Sequence, residues 1–321
     1  MSIIVTGGAG FIGSCIVAKL NEMGMEDIYI VDNVNTSEKW MNLRNKKYIR
    51  YYHKDEFLTE INNIPDVSAV IHMGACSATT ETDFDYLYKN NYLYTIALWK
   101  YCTDRQISFL YASSAATYGG GELGFDDKMD INALMPLNRY GYSKQIFDIW
   151  AQKQSERPKQ VVGMKFFNVY GPNEYAKGRM ASMIYHGFKQ VMEDNCIKLF
   201  KSHKAGYEDG GQLRDFVYVK DICKAIAFFL EHPEVSGLFN LGTGSAATFR
   251  TLGESVFEAL GRTPNIKYID MPMDLREKYQ YYTQADITKL RSVGYTDDFA
   301  DIREGAADYV QNYLAQNFKV W

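Results

Sequence analysis

The chain opens on an apolar β-branched run, Ile3-Ile4-Val5, that ends in Thr6 and in glycines at 7, 8, 10 and 13. After it Ile16, Val17 and Leu20 recur at helical spacing. A short apolar run followed by a 3.6-residue period predicts a strand, a tight turn and a helix. The succession then repeats. Residues 27–31 form a second strand that closes on Asp32, and residues 67–73 form a third that runs into Gly74, Ala75, Cys76 and Ser77. Residues 78–81 read as the cap of a long helix carrying Asn90 and Asn91, with Asn90 bracing the turn before it. Residues 107–114, a fourth strand, end in Ser113-Ser114. A polar loop leads to Tyr140-Gly141-Tyr142-Ser143-Lys144 and an amphipathic helix through Ile146, Phe147, Ile149 and Trp150, and residues 161–167 are a further strand.

This alternation predicts an α/β fold, a doubly wound parallel sheet with helices on both faces and a site at the carboxyl ends of the strands. Past residue 167 the rhythm weakens. Residues 180–191 read as a helix, 198–200 as a short strand and 201–212 as a polar loop. Residues 214–221 open another helix, 239–244 make a strand and turn, and a helix spans 302–314. The expected organisation is a dinucleotide-binding Rossmann domain of residues 1–167 plus 215–242. A smaller, segmented α/β substrate lobe of residues 168–214 plus 243–321 accompanies it, with part of the C-terminus free to return to the first domain.

Composition narrows the function classes. With 321 residues and 46% hydrophobic content the chain can build a large core, and its net charge of −4 argues against nucleic acid or a polybasic membrane patch as partner. No apolar run reaches the ~18 residues that span a bilayer. A core strand beginning within two residues of Met1 leaves no room for a signal peptide. Five scattered cysteines without a Cys-x-x-Cys pair fit a reducing cytoplasm and small apolar packing rather than zinc or a disulfide framework.

The candidate chemistry sits at the turns. Gly7 turns the chain, Gly10 admits a pyrophosphate to the backbone, and Gly13 lets the helix pack on the strand, while the helix N-terminus offers N–H groups to phosphate. Asp32, about 20 residues on, is where a ribose hydroxyl is held. Taken alone it favours NAD, because a carboxylate repels a 2′-phosphate. Asn33, Lys39 and Lys54 argue for NADP, unless the lysines are solvated surface. Tyr140 and Lys144, four residues apart, share a helix face, whereas Tyr142 points away. The ammonium favours a phenolate, and Ser114 is the second hydroxyl. His72 reads as a packed core residue.

Residues 6–13, 111–119, 140–144, 168–172, 214–221 and 240–244 together resemble an extended short-chain dehydrogenase/reductase acting on a nucleotide sugar. Gly74-Ala75-Cys76-Ser77 with Thr79-Thr80-Glu81, residues 113–120, Asn168 to Pro172 with Glu174, Lys177-Gly178, Met180-Ala181-Ser182 and Thr283-Gln284-Ala285-Asp286 narrow the likeness. It resembles the branch that inverts C6 of an ADP-bound heptose. That resemblance implies NADP as cofactor, an ADP-heptose substrate, and a homo-oligomer, specifically a homopentamer. It implies Tyr140 and Lys177 as two acid/base groups and Lys144 on the cofactor ribose. Phe11, Ile12, Asp32, Asn33, Lys39, Lys54, Met73, Gly74, Ala75, Cys76, Ser77, Asn90 and Val169 would contact the cofactor. Ser114, Asn168, Arg179, His186, Phe200, Lys201, Ser202, His203, Arg214 and Tyr279 would line the sugar-nucleotide site. A 4,6-dehydratase would want an acid pair where Ala115 and Ala116 stand. A 4-epimerase needs only Tyr, Lys and Ser, and is separated by Lys177. A non-catalytic dinucleotide sensor would have no use for the Tyr–Lys pair.

Overall fold

The computed structural model describes residues 1–276 and 279–321. Its strands, in chain order, are β1 (Ser2–Thr6), β2 (Ile28–Asp32), β3 (Arg50–His53), β4 (Val67–His72), β5 (Ser108–Ser114), β6 (Gln160–Phe166), β7 (Asn168–Tyr170), β8 (Ile197–Phe200), β9 (Leu213–Arg214), β10 (Phe216–Tyr218), β11 (Gly237–Leu241), β12 (Ala247–Thr248) and β13 (Ile266–Ile269). Seven of them form one parallel sheet in the order β11-β6-β5-β4-β1-β2-β3. The order reverses at β1 and β4, which pair directly, so their carboxyl ends frame a crevice between the turn after Thr6 and the turn after His72.

Alternate residues of each strand feed two cores. Ile3, Val5, Ile28 and Ile30 face one, with Ile16, Val17 and Leu20 of the helix Phe11–Glu22 and Ile222, Ile226 and Phe229 of the helix Val219–Glu231. Ile4, Tyr29, Val31 and Val70 face the other, with Phe57, Leu98, Trp99 and Phe147 from the opposite layer of helices. Burying each such side chain stabilises the fold by about 1.5–3 kcal/mol, and the period-2 alternation on both faces makes the sheet doubly wound. Beyond it, β8 pairs in parallel with β13, β7 with β10, and β9 runs antiparallel to β12.

Several expectations are corrected. The strand over residues 107–114 is the fifth, because the half-polar edge strand β3 precedes β4. Residues 214–218 are not helical. They form β9 and β10, and the helix starts at Val219. The helix expected over 180–191 runs Met183–Asp194, with Ser182 as its cap and a 3₁₀ segment Tyr175–Met180 before it. The long helix carrying Asn90 is capped by Asp83, whose side chain accepts from Tyr86 N, rather than by residues 78–81. That helix passes through a π-helical segment, Tyr88–Leu93, a distortion that re-aims side chains within a helix. No element lies between Phe200 and Leu213, in keeping with a loop there.

Candidate active site

At the mouth of β1 the glycine turn is held by its own backbone. Gly7 has φ +68°, and a Cβ on it would meet Gly74 N at 2.7 Å. A Cβ on Gly13 would meet the Gly7 carbonyl oxygen at 2.1 Å. Gly13 is therefore required against the loop itself, not against the strand as the sequence suggests. Asp32, which lines the cavity where a ribose contact is expected, also has a structural task. Its carboxylate accepts from Ala9 N (2.9 Å), Gly10 N (3.1 Å), Asn33 N (2.7 Å) and Lys39 Nζ (2.8 Å). Four donors engage it, so it closes the glycine loop and is itself neutralised by Lys39.

The turn after β4 is braced by Asn91, not Asn90. Asn91 Oδ1 accepts from Cys76 N (2.8 Å), and its Nδ2 donates to Cys76 O (3.0 Å) and Ser143 Oγ (3.0 Å). The π-helical segment turns Asn91 inward and leaves Asn90 to accept from Lys54 Nζ (2.6 Å). His72 below the turn is buried between Thr6 Oγ1 (2.6 Å) and Thr95 Oγ1 (2.9 Å). Burial and, secondarily, Lys144 push its pKa down to about 3, so it is a neutral structural residue.

These turns open onto a cavity of about 1620 Å³ lined by Gly7, Gly10, Phe11, Ile12, Gly13, Asp32, Lys39, Met73, Gly74, Ala75, Ser77, Ser114, Tyr140, Lys144, Asn168, Val169, Lys177, Arg214 and Tyr279, among others. A second cavity of about 260 Å³ shares Asp32 and Lys39 and adds Asn33, Lys54, Cys76 and Asn90. There the buried Asn33 Oδ1 has no hydrogen-bond partner among the described residues. Two lysines and a helix N-terminus after the glycine turn suit phosphate, and an unfilled acceptor suits a ribose hydroxyl or an adenine amine, so these residues fit a nicotinamide dinucleotide.

Tyr140 and Lys144 lie on one face of the helix Arg139–Gln152, while Tyr142 is 48% exposed with its ring 5.6 Å from that of Phe84. The expected ammonium–phenol pairing is not what governs Tyr140. Burial raises its pKa, and the Ser114 hydroxyl beside it pulls the other way. Lys144 Nζ instead donates to the Ala112 carbonyl at 2.9 Å, and burial lowers its pKa to about 8. One turn further, Asp148 is fully buried, accepts from Ser113 Oγ (2.6 Å) and Tyr111 OH (3.0 Å), and lies 3.6 Å from Lys165 Nζ. These bonds tie the helix to β5 through Tyr111 and Ser113 and to β6 through Lys165. The sequence reading missed them, although Tyr140, Lys144 and Asp148 repeat at intervals of four.

Lys177, in the 3₁₀ segment, reaches the same cavity with its Nζ 5.2 Å from the centroid of the Phe11 ring. Burial lowers its pKa and Glu174 opposes the shift. Arg179, expected to line the sugar-nucleotide site, is exposed and does not line the cavity. On the far wall Arg214 is 7% exposed, with its guanidinium 5.2 Å from the Tyr279 ring and bonded to the carbonyls of Leu213 and Gln280. No carboxylate pairs with it among the described residues. Its neighbour Asp215 is taken up by Thr243 N and Oγ1, Gly244 N and Ala285 N.

Not every expected substrate contact is brought to this cavity. His186 sits on the helix Met183–Asp194 against Tyr185, and neither it nor Phe200, Lys201, Ser202 or His203 lines the cavity. Phe200 stands behind Tyr279, with ring centroids 6.4 Å apart. Lys201 Nζ lies 3.2 Å from Asp270, Ser202 N donates to Asp209 Oδ1, and His203 N donates to Tyr281 OH. The segment packs behind Tyr279, directly through Phe200 and by way of Tyr281.

Comparison with known proteins gives a consistent picture. Residues 3–242 match the NAD dependent epimerase/dehydratase family. The chain is 53% identical over 326 residues to an ADP-L-glycero-D-manno-heptose-6-epimerase of Fusobacterium nucleatum subsp. nucleatum, covering 98% of each. Among solved structures it is similar to the Helicobacter pylori ADP-L-glycero-D-manno-heptose-6-epimerase, with TM-score 0.80 and 27% identity over 97% of this chain and 95% of that one. It is also similar to a Thermus thermophilus UDP-glucose 4-epimerase in complex with NAD, with TM-score 0.76 and 25% identity over 97% and 98% of the two chains.

Proposed function

The chain belongs to the NAD dependent epimerase/dehydratase family and, within it, to the ADP-L-glycero-D-manno-heptose-6-epimerases; we propose that it works with NADP and with Tyr140 and Lys177 as paired acid/base groups. It is an isomerase that converts ADP-D-glycero-D-manno-heptose into ADP-L-glycero-D-manno-heptose. The C6 proton of the heptose is not acidic, so acid/base chemistry alone cannot invert that carbon. When bound, the nicotinamide supplies the hydride chemistry, accepting hydride from C6 and returning it.

The chain's own residues handle the proton and the geometry. One group must take the hydroxyl proton as C6 becomes a ketone, and another must return a proton to the oxygen after the sugar has presented its opposite face. Tyr140, beside Ser114, serves one position, and Lys177 serves the other. Desolvation brings both amines, Lys144 and Lys177, below the ordinary lysine range, which suits a lysine that exchanges protons near neutral pH. Arg214 anchors the diphosphate with a planar fork that no neighbouring carboxylate occupies among the described residues. The observation that carries this reading is that Tyr140, Ser114, Lys177 and Arg214 line one cavity with the glycine loop.

The NADP reading rests on Lys39. Its bond to Asp32 cancels the charge that would repel a 2′-phosphate, and Lys54 lines the same recess. Gly7, Gly10, Phe11, Ile12, Met73 to Ser77 and Val169 would hold the remainder of the dinucleotide. We assign residues 1–167 plus 215–242 to cofactor binding and the rest to the substrate lobe. The experiment is mass spectrometry of the nucleotide released on denaturation. NADP is expected, and NAD alone would refute the assignment.

A further inference from the structure

Glu174 is fully buried, and its carboxylate closes the segment that carries Lys177. Oε2 accepts from Ser182 N at 2.6 Å and Oε1 accepts from Ser182 Oγ at 2.6 Å, so residues 174 and 182 are drawn together and the intervening chain is held as a loop. Ser182 in turn caps the helix Met183–Asp194, its Oγ accepting from Tyr185 N at 3.2 Å. Within the loop Lys177 N donates to the Glu174 carbonyl at 2.9 Å, and Gly178 turns the chain at φ +54°. Lys177 is thereby delivered to the cavity from a base anchored on a helix.

Hydrogen bonding does not by itself call for a carboxylate here. A glutamine at 174 could accept from Ser182 N with its oxygen and donate to Ser182 Oγ with its amide, giving up only the long contact from Gly171 N (3.5 Å), and it would avoid the several kcal/mol that burying a charge costs. A buried carboxylate needs a cation. Burial raises the Glu174 pKa, while Ser182, Lys177 and Tyr309 pull it back down; Tyr175 and Cys15 are nearby, and Lys177 is the one cation among these groups, acting from beyond ion-pair distance. Glu174 is likewise the charged group that faces Lys177, which otherwise has the Phe11 ring.

We propose that Glu174 is the positioning residue of Lys177, closing the 174–182 loop through Ser182 and favouring the lysine ammonium from a distance with its buried charge. The inference rests on the reading of Lys177 as an acid/base group. Two functions are combined in one side chain, and two substitutions separate them. Glu174→Gln keeps the loop closed and removes the charge. Ser182→Ala keeps the charge and loosens the closure.

The test is the pH profile of epimerisation in both variants, with the Lys177 amine titrated by NMR after isotope-labelled reductive methylation of the NADP-loaded enzyme. Glu174→Gln should move the Lys177 titration, and the limb of the rate profile that follows it, to lower pH by about one unit or more. Cofactor content should be unchanged. Ser182→Ala should leave that titration in place and lower kcat by up to about 100-fold, the order expected when a catalytic group is displaced by an ångström. A Glu174→Gln titration superimposable on the parent, or a Ser182→Ala kcat within about twofold of it, overturns the proposal. Lys177→Met serves as the reference. Near-normal epimerisation in that variant would overturn the acid/base reading itself, whereas an inactive Lys177→Met with an unmoved Glu174→Gln overturns only the role of Glu174.

Discussion

Lys39, Lys177 and Arg214 carry the sharpest consequences at the scale of single residues. Lys39→Met strips Asp32 of its counter-charge while the carboxylate keeps its three backbone donors. The loop should survive, and a bare carboxylate should face the 2′-phosphate. NADP affinity is expected to fall about tenfold or more relative to NAD, the size of one lost charge-assisted bond, as measured by fluorescence titration of both cofactors. An unchanged ratio would reduce Lys39 to a surface charge. Arg214→Lys retains charge but loses the planar fork. It should raise KM for the nucleotide sugar at least about tenfold with kcat little altered, and an unaltered KM would make Arg214 structural. Lys177→Met should abolish epimerisation and leave cofactor content intact, along with any hydride exchange with an aldehyde analogue that Tyr140 can drive.

Elements decide which residues can be read locally and which cannot. The turn after β4 depends on one side chain in the π-helical segment, which makes two hydrogen bonds with the Cys76 backbone and a third to Ser143 Oγ. Asn91→Ala should lower unfolding stability by about 2–4 kcal/mol in urea denaturation and weaken cofactor binding, whereas Asn90→Ala should do neither to the same degree. Sequence spacing could not separate these neighbours, because an α-helical register assigns faces by 3.6-residue steps and the π-helical segment shifts them. The glycine loop, the Tyr140–Lys144 face and the strands β1, β2, β4 and β5 were legible, since each is written in a contiguous run with its own period. The edge strand β3 was not, because Arg50-Tyr51-Tyr52-His53 has little apolar signature and is a strand only by pairing with β2. The pair β7 and β10 joins residues some fifty positions apart, and no local pattern announces it. Asp32 was located from its spacing, but its bonds to the glycine loop and Lys39 were not, because spacing reports where a carboxylate stands and not how many donors already surround it.

At the scale of the whole molecule, the crevice is built on buried polar groups whose protonation is coupled to folding. His72 has its pKa lowered to about 3 in the folded chain, against about 6.5 when unfolded. Between those values the unfolded chain binds the extra proton, so this contribution to stability is complete above about pH 6.5 and is lost as pH falls toward 3. Replacing it by His72→Asn should lower stability at neutral pH and flatten the dependence between pH 6.5 and 4 in urea denaturation. An identical slope in the variant would mean that His72 titrates normally.

The central expectation is that this cavity inverts C6 with no net oxidation. The most direct measurement is to incubate the purified protein, with only the nucleotide it carries, with ADP-D-glycero-D-manno-heptose and to follow the C6 stereochemistry by NMR. The account predicts conversion to the ADP-L-glycero-D-manno epimer, reversible, with no added cofactor and no accumulation of reduced nicotinamide. Failure to interconvert the epimers while the cofactor is bound, or turnover of a UDP-hexose at a rate rivalling the heptose, would contradict it.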